Sequence, residues 1–136
     1  MTNGFTLNRS IAVPPERVWA AFTRADQYAA WVWPAEWGTT CSIDPRVGGE
    51  FRVAAAERGL SVEGTYLEVD PITRLVMSWK QTNREGESML TISILPSGDG
   101  TELSLTHENF PDDESREAHE RGWNDCLSRL PGYLAA

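Results

Sequence analysis

The sequence is poor in the residues that usually announce a catalytic or metal centre. Its only thiols are Cys41 and Cys126, and its only imidazoles are His107 and His119. The cysteines lie far apart, without metal-ligand spacing, and read as two reduced thiols, one on a strand and one on a helix. Two histidines fall short of the three or four ligands a zinc site takes, so no metal and no cofactor is expected. Neither a Gly-x-Ser-x-Gly elbow nor a Gly-x-x-x-x-Gly-Lys phosphate loop occurs. No residue is therefore singled out as catalytic. A basic excess is also missing: 20 acids stand against 12 bases, a net charge of −8. That balance speaks against nucleic acid and against an anionic membrane surface as partners. No apolar run approaches the roughly 20 residues of a membrane span. Met1 to Phe5 shows no apolar leader, and the expected location is cytoplasmic.

What remains is an ordinary globular composition, 40% hydrophobic and 24% charged over 136 residues, which fits one domain spanning 1–136. Residues 5–13 alternate as a strand whose one face carries Phe5, Leu7, Arg9, Ile11 and Val13. Pro14-Pro15-Glu16 breaks it and opens a short helix over 15–23, with a second short helix at about 26–31. A strand at 39–44 leads into the turn Asp44-Pro45-Arg46-Val47-Gly48-Gly49, where the glycines permit a tight reversal and Asp44 and Arg46 can brace it. Five further strands follow, at about 50–56, 61–69, 74–81, 88–95 and 101–108, separated by turn residues as in a meander of hairpins. Leu75, Met77 and Trp79 share an inward face, as do Leu90, Ile92 and Ile94, and Leu103, Leu105 and His107. A sheet apolar on one face needs a cover. The cover is a final helix from about Asp113 to Leu130, capped by Asp112 or Asp113, with His119, Trp123, Cys126, Leu127 and Leu130 on one stripe. Pro131-Gly132 is expected to end or kink it.

Large rings dominate the candidate site. Trp31, Trp33 and Trp37 fall within seven residues, and Phe51, Trp79, Phe110 and Trp123 join them. Such rings build cores more often than sites. Those favoured for a cavity are Trp31, Trp33, Trp79 and Trp123, whose indole N–H groups can orient a polar ligand atom. Phe51, Met77, Phe110, His107 and His119 complete the candidate ligand-binding set. The histidines read either as structural, bonded to backbone carbonyls, or as a polar handle in one cavity. Arg9, on an apolar strand face, reads as a structural ion pair, an edge position open to solvent, or an anion clamp.

The order of these elements resembles the START-like, or birch-pollen-allergen-like (SRPBCC), superfamily, in the branch named after the activator of the heat-shock-protein-90 ATPase. The resemblance covers about residues 7–134. It rests on the opening strand, Pro-Pro and Val-Trp helix (Arg9 to Thr23), the Trp-rich segment Trp31 to Pro34, and Asp44 to Phe51 (DPRVGGEF). Gly64 to Pro71 with Arg74-Leu75-Val76, then Thr101 to Phe110 and Gly122-Trp123, extend it. It implies an α+β helix-grip fold of order β-α2-β6-α: a curved seven-stranded antiparallel sheet, two short helices and a long C-terminal helix over a cavity. Trp33 stands where the family commonly has glycine, which would narrow the cavity mouth. The implied function is binding of a small hydrophobic or aromatic molecule between sheet and helix. The alternatives are a co-chaperone-like interaction module with a chaperone as partner, and a cyclase- or aromatase-like enzyme acting on a polyketide-type substrate through His107, His119 or Arg9. Fold alone does not choose among them.

Overall fold

Alternation of apolar and polar residues yields one seven-stranded antiparallel sheet in the computed structural model, which describes residues 3–135. Residues 1, 2 and 136 of the domain expected over 1–136 lie outside the described residues. The strands are β1 (Phe5–Ile11), β2 (Thr40–Ile43), β3 (Glu50–Ala55), β4 (Leu60–Asp70), β5 (Arg74–Gln81), β6 (Ser88–Ser97) and β7 (Gly100–Glu108). The helices are α1 (Pro15–Thr23), α2 (Ala25–Trp31) and α3 (Asp113–Ala135), and the spatial strand order is β1-β7-β6-β5-β4-β3-β2. This is the expected helix-grip arrangement, with β1 and β2 at the two edges.

The three inward triplets are buried as their alternation implies: Leu75, Met77, Trp79; Leu90, Ile92, Ile94; Leu103, Leu105, His107. Pairings such as Met77 with Leu90 and Leu90 with His107 set them in rows across the sheet. The sheet bends at β4, where the pairing with β5 shifts register between Tyr66 and Glu68. An extra residue there raises the local twist and curls the sheet towards α3. Gly64 faces Phe51 across the β3–β4 pair, and a Cβ there would come within 1.9 Å of the Ser78 carbonyl oxygen. Only glycine allows that close approach.

Two expectations need correction. The first strand ends at Ile11, not at 13; Ala12 and Val13 already bend towards Pro14, although Val13 still packs on the core. The last helix neither ends nor breaks at Pro131 but continues to Ala135. A proline inside a helix costs about 3 kcal/mol. Here Leu130 and Leu134 are buried on either side of it, and Arg17 of α1 donates from Nη2 to the Leu134 carbonyl at 2.7 Å. Packing and an external donor hold the last turn in place. At the other end Asp112 is the cap, its Oδ1 accepting from the Ser115 amide at 2.8 Å.

Candidate functional site

Between the inner face of β4–β5 and α3 the packing opens into a cleft of about 200 Å³. From the sheet come Leu60, Val62, Trp79 and Gln81; from α3 come Ala118, His119, Gly122, Trp123, Asp125 and Cys126. Val32, Trp33 and Trp37 close one side, and Arg84, beyond the end of β5, stands at another. The cleft exists because α3 carries small side chains there. Ala118 and Gly122 are one helical turn apart, and a Cβ built on Gly122 meets nothing within 4 Å. The other end of the sheet is packed solid: Phe22, Tyr28, Phe51, Tyr66, Met77 and Leu90 surround a residual space of about 10 Å³.

Four of the nine candidate residues therefore meet in the cleft: Trp33, Trp79, His119 and Trp123. Trp31 does not, although it adjoins Val32 and Trp33. Its ring is 1% exposed, meets Phe22 and Tyr28 edge-on at 5.1 and 5.5 Å, and donates from Nε1 to the Ala21 carbonyl at 2.9 Å. Phe51 and Met77 line the packed end. Phe110 stacks on Phe5 at 6.0 Å and lies 4.5 Å from the His107 ring, beside a second small recess that it shares with Trp79 and His119. His107 lies one layer behind the cleft, fully buried.

The polar groups divide sharply. Trp123 donates its indole N–H to His107 Nδ1 at 3.1 Å. Nδ1 is then an acceptor, so the proton sits on Nε2, which donates to Ser88 Oγ at 2.7 Å. Ser88 in turn donates to the Trp79 carbonyl at 3.4 Å. Burial, with the His119 ring 5.2 Å away as a second contribution, holds the His107 pKa well below the usual histidine value. His107 is thus a neutral, doubly bonded structural histidine, held by side chains rather than by a backbone carbonyl.

His119 is different. Its Nδ1–H donates to the Ser115 carbonyl at 2.8 Å, which leaves Nε2 as a lone-pair acceptor. Burial lowers its pKa too, against the opposing pull of that hydrogen bond. Nε2 is buried and finds no hydrogen-bond partner among the described residues, and the same is true of the Trp79 indole N–H. Trp79 is the hub of the site: its ring lies 5.4 Å from Trp123, 5.3 Å from His107 and 6.5 Å from His119.

Arg9 sits on edge strand β1 and donates to the Asn124 side chain at 2.6 Å and to the Asn8 carbonyl, away from the cleft. Of its readings, the edge position fits; its partner is an amide, not an acid. Among the described residues no three His, Cys, Asp or Glu side chains gather as a metal site would require. Trp33 and Trp37 are both half-buried, with rings 5.8 Å apart, and Arg58 lies 4.5 Å over Trp37.

The sequence reading missed several lining residues. Gln81 continues the inward alternation of 75, 77 and 79, and Leu60 and Val62 follow the same rule on β4. It also missed Arg129, whose Nε and Nη2 donate to the carbonyls of Trp31 and Val32 at 3.0 and 2.8 Å. That guanidinium fastens the end of α2, and with it the tryptophan side of the cleft, to α3.

Comparison with known proteins agrees with this architecture. The family described as Activator of Hsp90 ATPase homolog 1-like protein matches residues 12–135. A protein from Chromobacterium violaceum is 29% identical, with 98% of each chain covered and a TM-score of 0.82. An HSP90 activator from Plasmodium falciparum is 24% identical over 98% of this chain and 96% of its own, with a TM-score of 0.80. DynU16, a protein of the dynemicin biosynthetic locus, is 21% identical over 98% of this chain and 48% of its own, with a TM-score of 0.84. The last two likenesses carry the fold alone. Among curated proteins none matches.

Proposed function

The chain belongs to the Activator of Hsp90 ATPase homolog 1-like family, and from its cleft we infer that it binds one small, mainly apolar molecule between β4–β5 and α3. The observation that carries this reading is the lining: four indoles and three branched aliphatic side chains around about 200 Å³, while the other end of the sheet is packed. Concave apolar sites with a few polar groups are the usual form of small-ligand pockets. The size suits one or two fused rings rather than a long acyl chain.

Two other functions have less support. A cyclase-like mechanism through His107, His119 or Arg9 needs those groups at one pocket. Only His119 lines the cleft, while His107 is enclosed and Arg9 faces Asn124. Docking to a chaperone would use exposed apolar surface. Trp33 and Trp37, the large rings nearest the surface in this region, pack half-buried against each other. That reading rests on the family's name and on one similar structure.

The test is calorimetric titration with indane, a bicyclic hydrocarbon, against the wild type and Gly122→Leu. Gly122 lines the cleft and a Cβ there meets nothing within 4 Å, so a larger side chain takes up space at the α3 wall. Saturable binding by the wild type, weakened at least about tenfold in the variant, supports the reading. Equal affinity for both proteins places binding elsewhere and rejects it.

A further inference from the structure

Two of the three buried side-chain polar atoms that lack a hydrogen-bond partner among the described residues belong to neighbouring rings of this cleft. They are the Trp79 Nε1–H and His119 Nε2. Proteins rarely bury such groups unpaired, because each forfeits its hydrogen bonds to water. Their chemistry is opposite. The indole can only donate. The imidazole, with Nδ1–H committed to the Ser115 carbonyl, can only accept at Nε2. Trp79 is 6% exposed, so its N–H is no surface group awaiting solvent.

We propose that the cleft selects a ligand whose apolar ring system carries one hydroxyl group, a phenol or similar alcohol, which accepts from Trp79 Nε1–H and donates to His119 Nε2. This rests on the binding reading given above and adds the ligand's chemical class to it. A hydroxyl is the smallest group that can do both. A carboxylate brings only acceptors and would set a negative charge against the imidazole lone pair. An ether or ketone satisfies the indole and leaves the imidazole unpaired. An ammonium does the reverse. Arg84 does not alter the choice, because its guanidinium already meets Ser115 Oγ at 3.2 Å and Glu114 at 3.5 Å.

Neither atom shows surface to water in this structure. The hydroxyl therefore reaches them only as side chains between them and the cleft shift, so that binding includes a rearrangement of the lining. The other Trp-to-His contact shows why the pair is selective. Trp123 N–H and His107 Nδ1 satisfy each other directly across α3 and β7, so a donor and an acceptor of the same types are closed there and open between β5 and α3.

The experiment compares indane, 5-indanol and 5-methoxyindane, which share one ring system, by calorimetry on the full chain and on His119→Leu and Trp79→Phe. The expected result is that 5-indanol binds at least about tenfold tighter than 5-methoxyindane, in line with a second hydrogen bond gained. In His119→Leu the ratio of the two affinities falls to about one, whatever the change in indane affinity, because the acceptor that distinguishes the alcohol from its methyl ether is gone. Should Trp79→Phe fail to fold, the His119 variant decides alone. If indane binds but 5-indanol is no tighter than its methyl ether, a bound water already serves the pair and this inference falls while the binding reading stands. If none of the three binds, both fall.

Discussion

Trp123 on α3 and His107 on β7 are joined by an indole N–H to Nδ1 hydrogen bond of 3.1 Å, which ties the long helix to a fully buried group of the sheet. It dictates the imidazole tautomer, and with it the donor to Ser88 and the chain of bonds that ends at the Trp79 carbonyl. A proton added at Nδ1 would oppose the indole N–H directly. The site is built around a histidine that must stay neutral.

Stability should therefore decline with acid in a way traceable to His107. Burial lowers its pKa in the folded protein well below 6.5, and that of His119 in the same direction. Below about pH 6.5 the unfolded chain binds protons that the folded chain refuses. Stability is full above that pH and falls as pH drops below it. Thermal midpoints at pH 7.5 and 5.5 should differ, and the difference should shrink in His107→Gln, which removes the titrating ring. An undiminished difference in the variant would contradict the assignment.

Arg129 holds two carbonyls that no helical amide reaches, those of Trp31 and Val32, and pairs with Asp125 at 2.6 Å. Arg129→Met should cost about 1–3 kcal/mol in urea unfolding with an unchanged slope, because it strands buried acceptors. Arg129→Lys should recover only part, since an ammonium lacks the fork. No loss in the methionine variant would show the contact to be incidental.

Both thiols should resist alkylation. Burial pushes Cys41 and Cys126 up to about 12, which leaves very little thiolate at pH 8. Iodoacetamide should label both at least about a hundredfold faster in denaturant than in the native protein, read by intact mass. Rapid native labelling of Cys126 would mean that the α3 side of the cleft opens readily.

Ile72 has φ of 74° in the β4–β5 turn, whose Thr73 amide bonds the Asp70 carbonyl at 3.0 Å. A β-branched residue is strained there. Ile72→Asn should stabilise the protein by about 1 kcal/mol, as a raised midpoint in denaturant. Gly122→Ala should do the same through helix propensity alone. A fall in the first would give the Ile72 side chain a packing role, and a fall in the second would show that the α3 wall does not accept a Cβ at 122.

The sheet was legible because alternation is a strict code: once Leu75, Met77 and Trp79 are read as inward, their partners on β6 and β7 follow. Which tryptophans face the cleft was not legible. Trp31 ends α2 and turns into the core, whereas Trp33 lies in the irregular stretch beyond it, and no periodicity separates them. Pro131 misled because its local penalty is outweighed by Leu130, Leu134 and a distant arginine. The small pair Ala118 and Gly122, one turn apart on α3, was the overlooked sign of a space beside the helix.

The most direct test of the cleft is a two-dimensional nitrogen–proton spectrum of the indole N–H groups during titration with 5-indanol. Six tryptophans give six assignable signals. The site predicts large shifts for Trp79 and Trp33, smaller ones for Trp37 and Trp123, and none for Trp31, whose N–H is locked to Ala21. Shifts confined to Trp19, or spread evenly over all six, would contradict binding in this cleft.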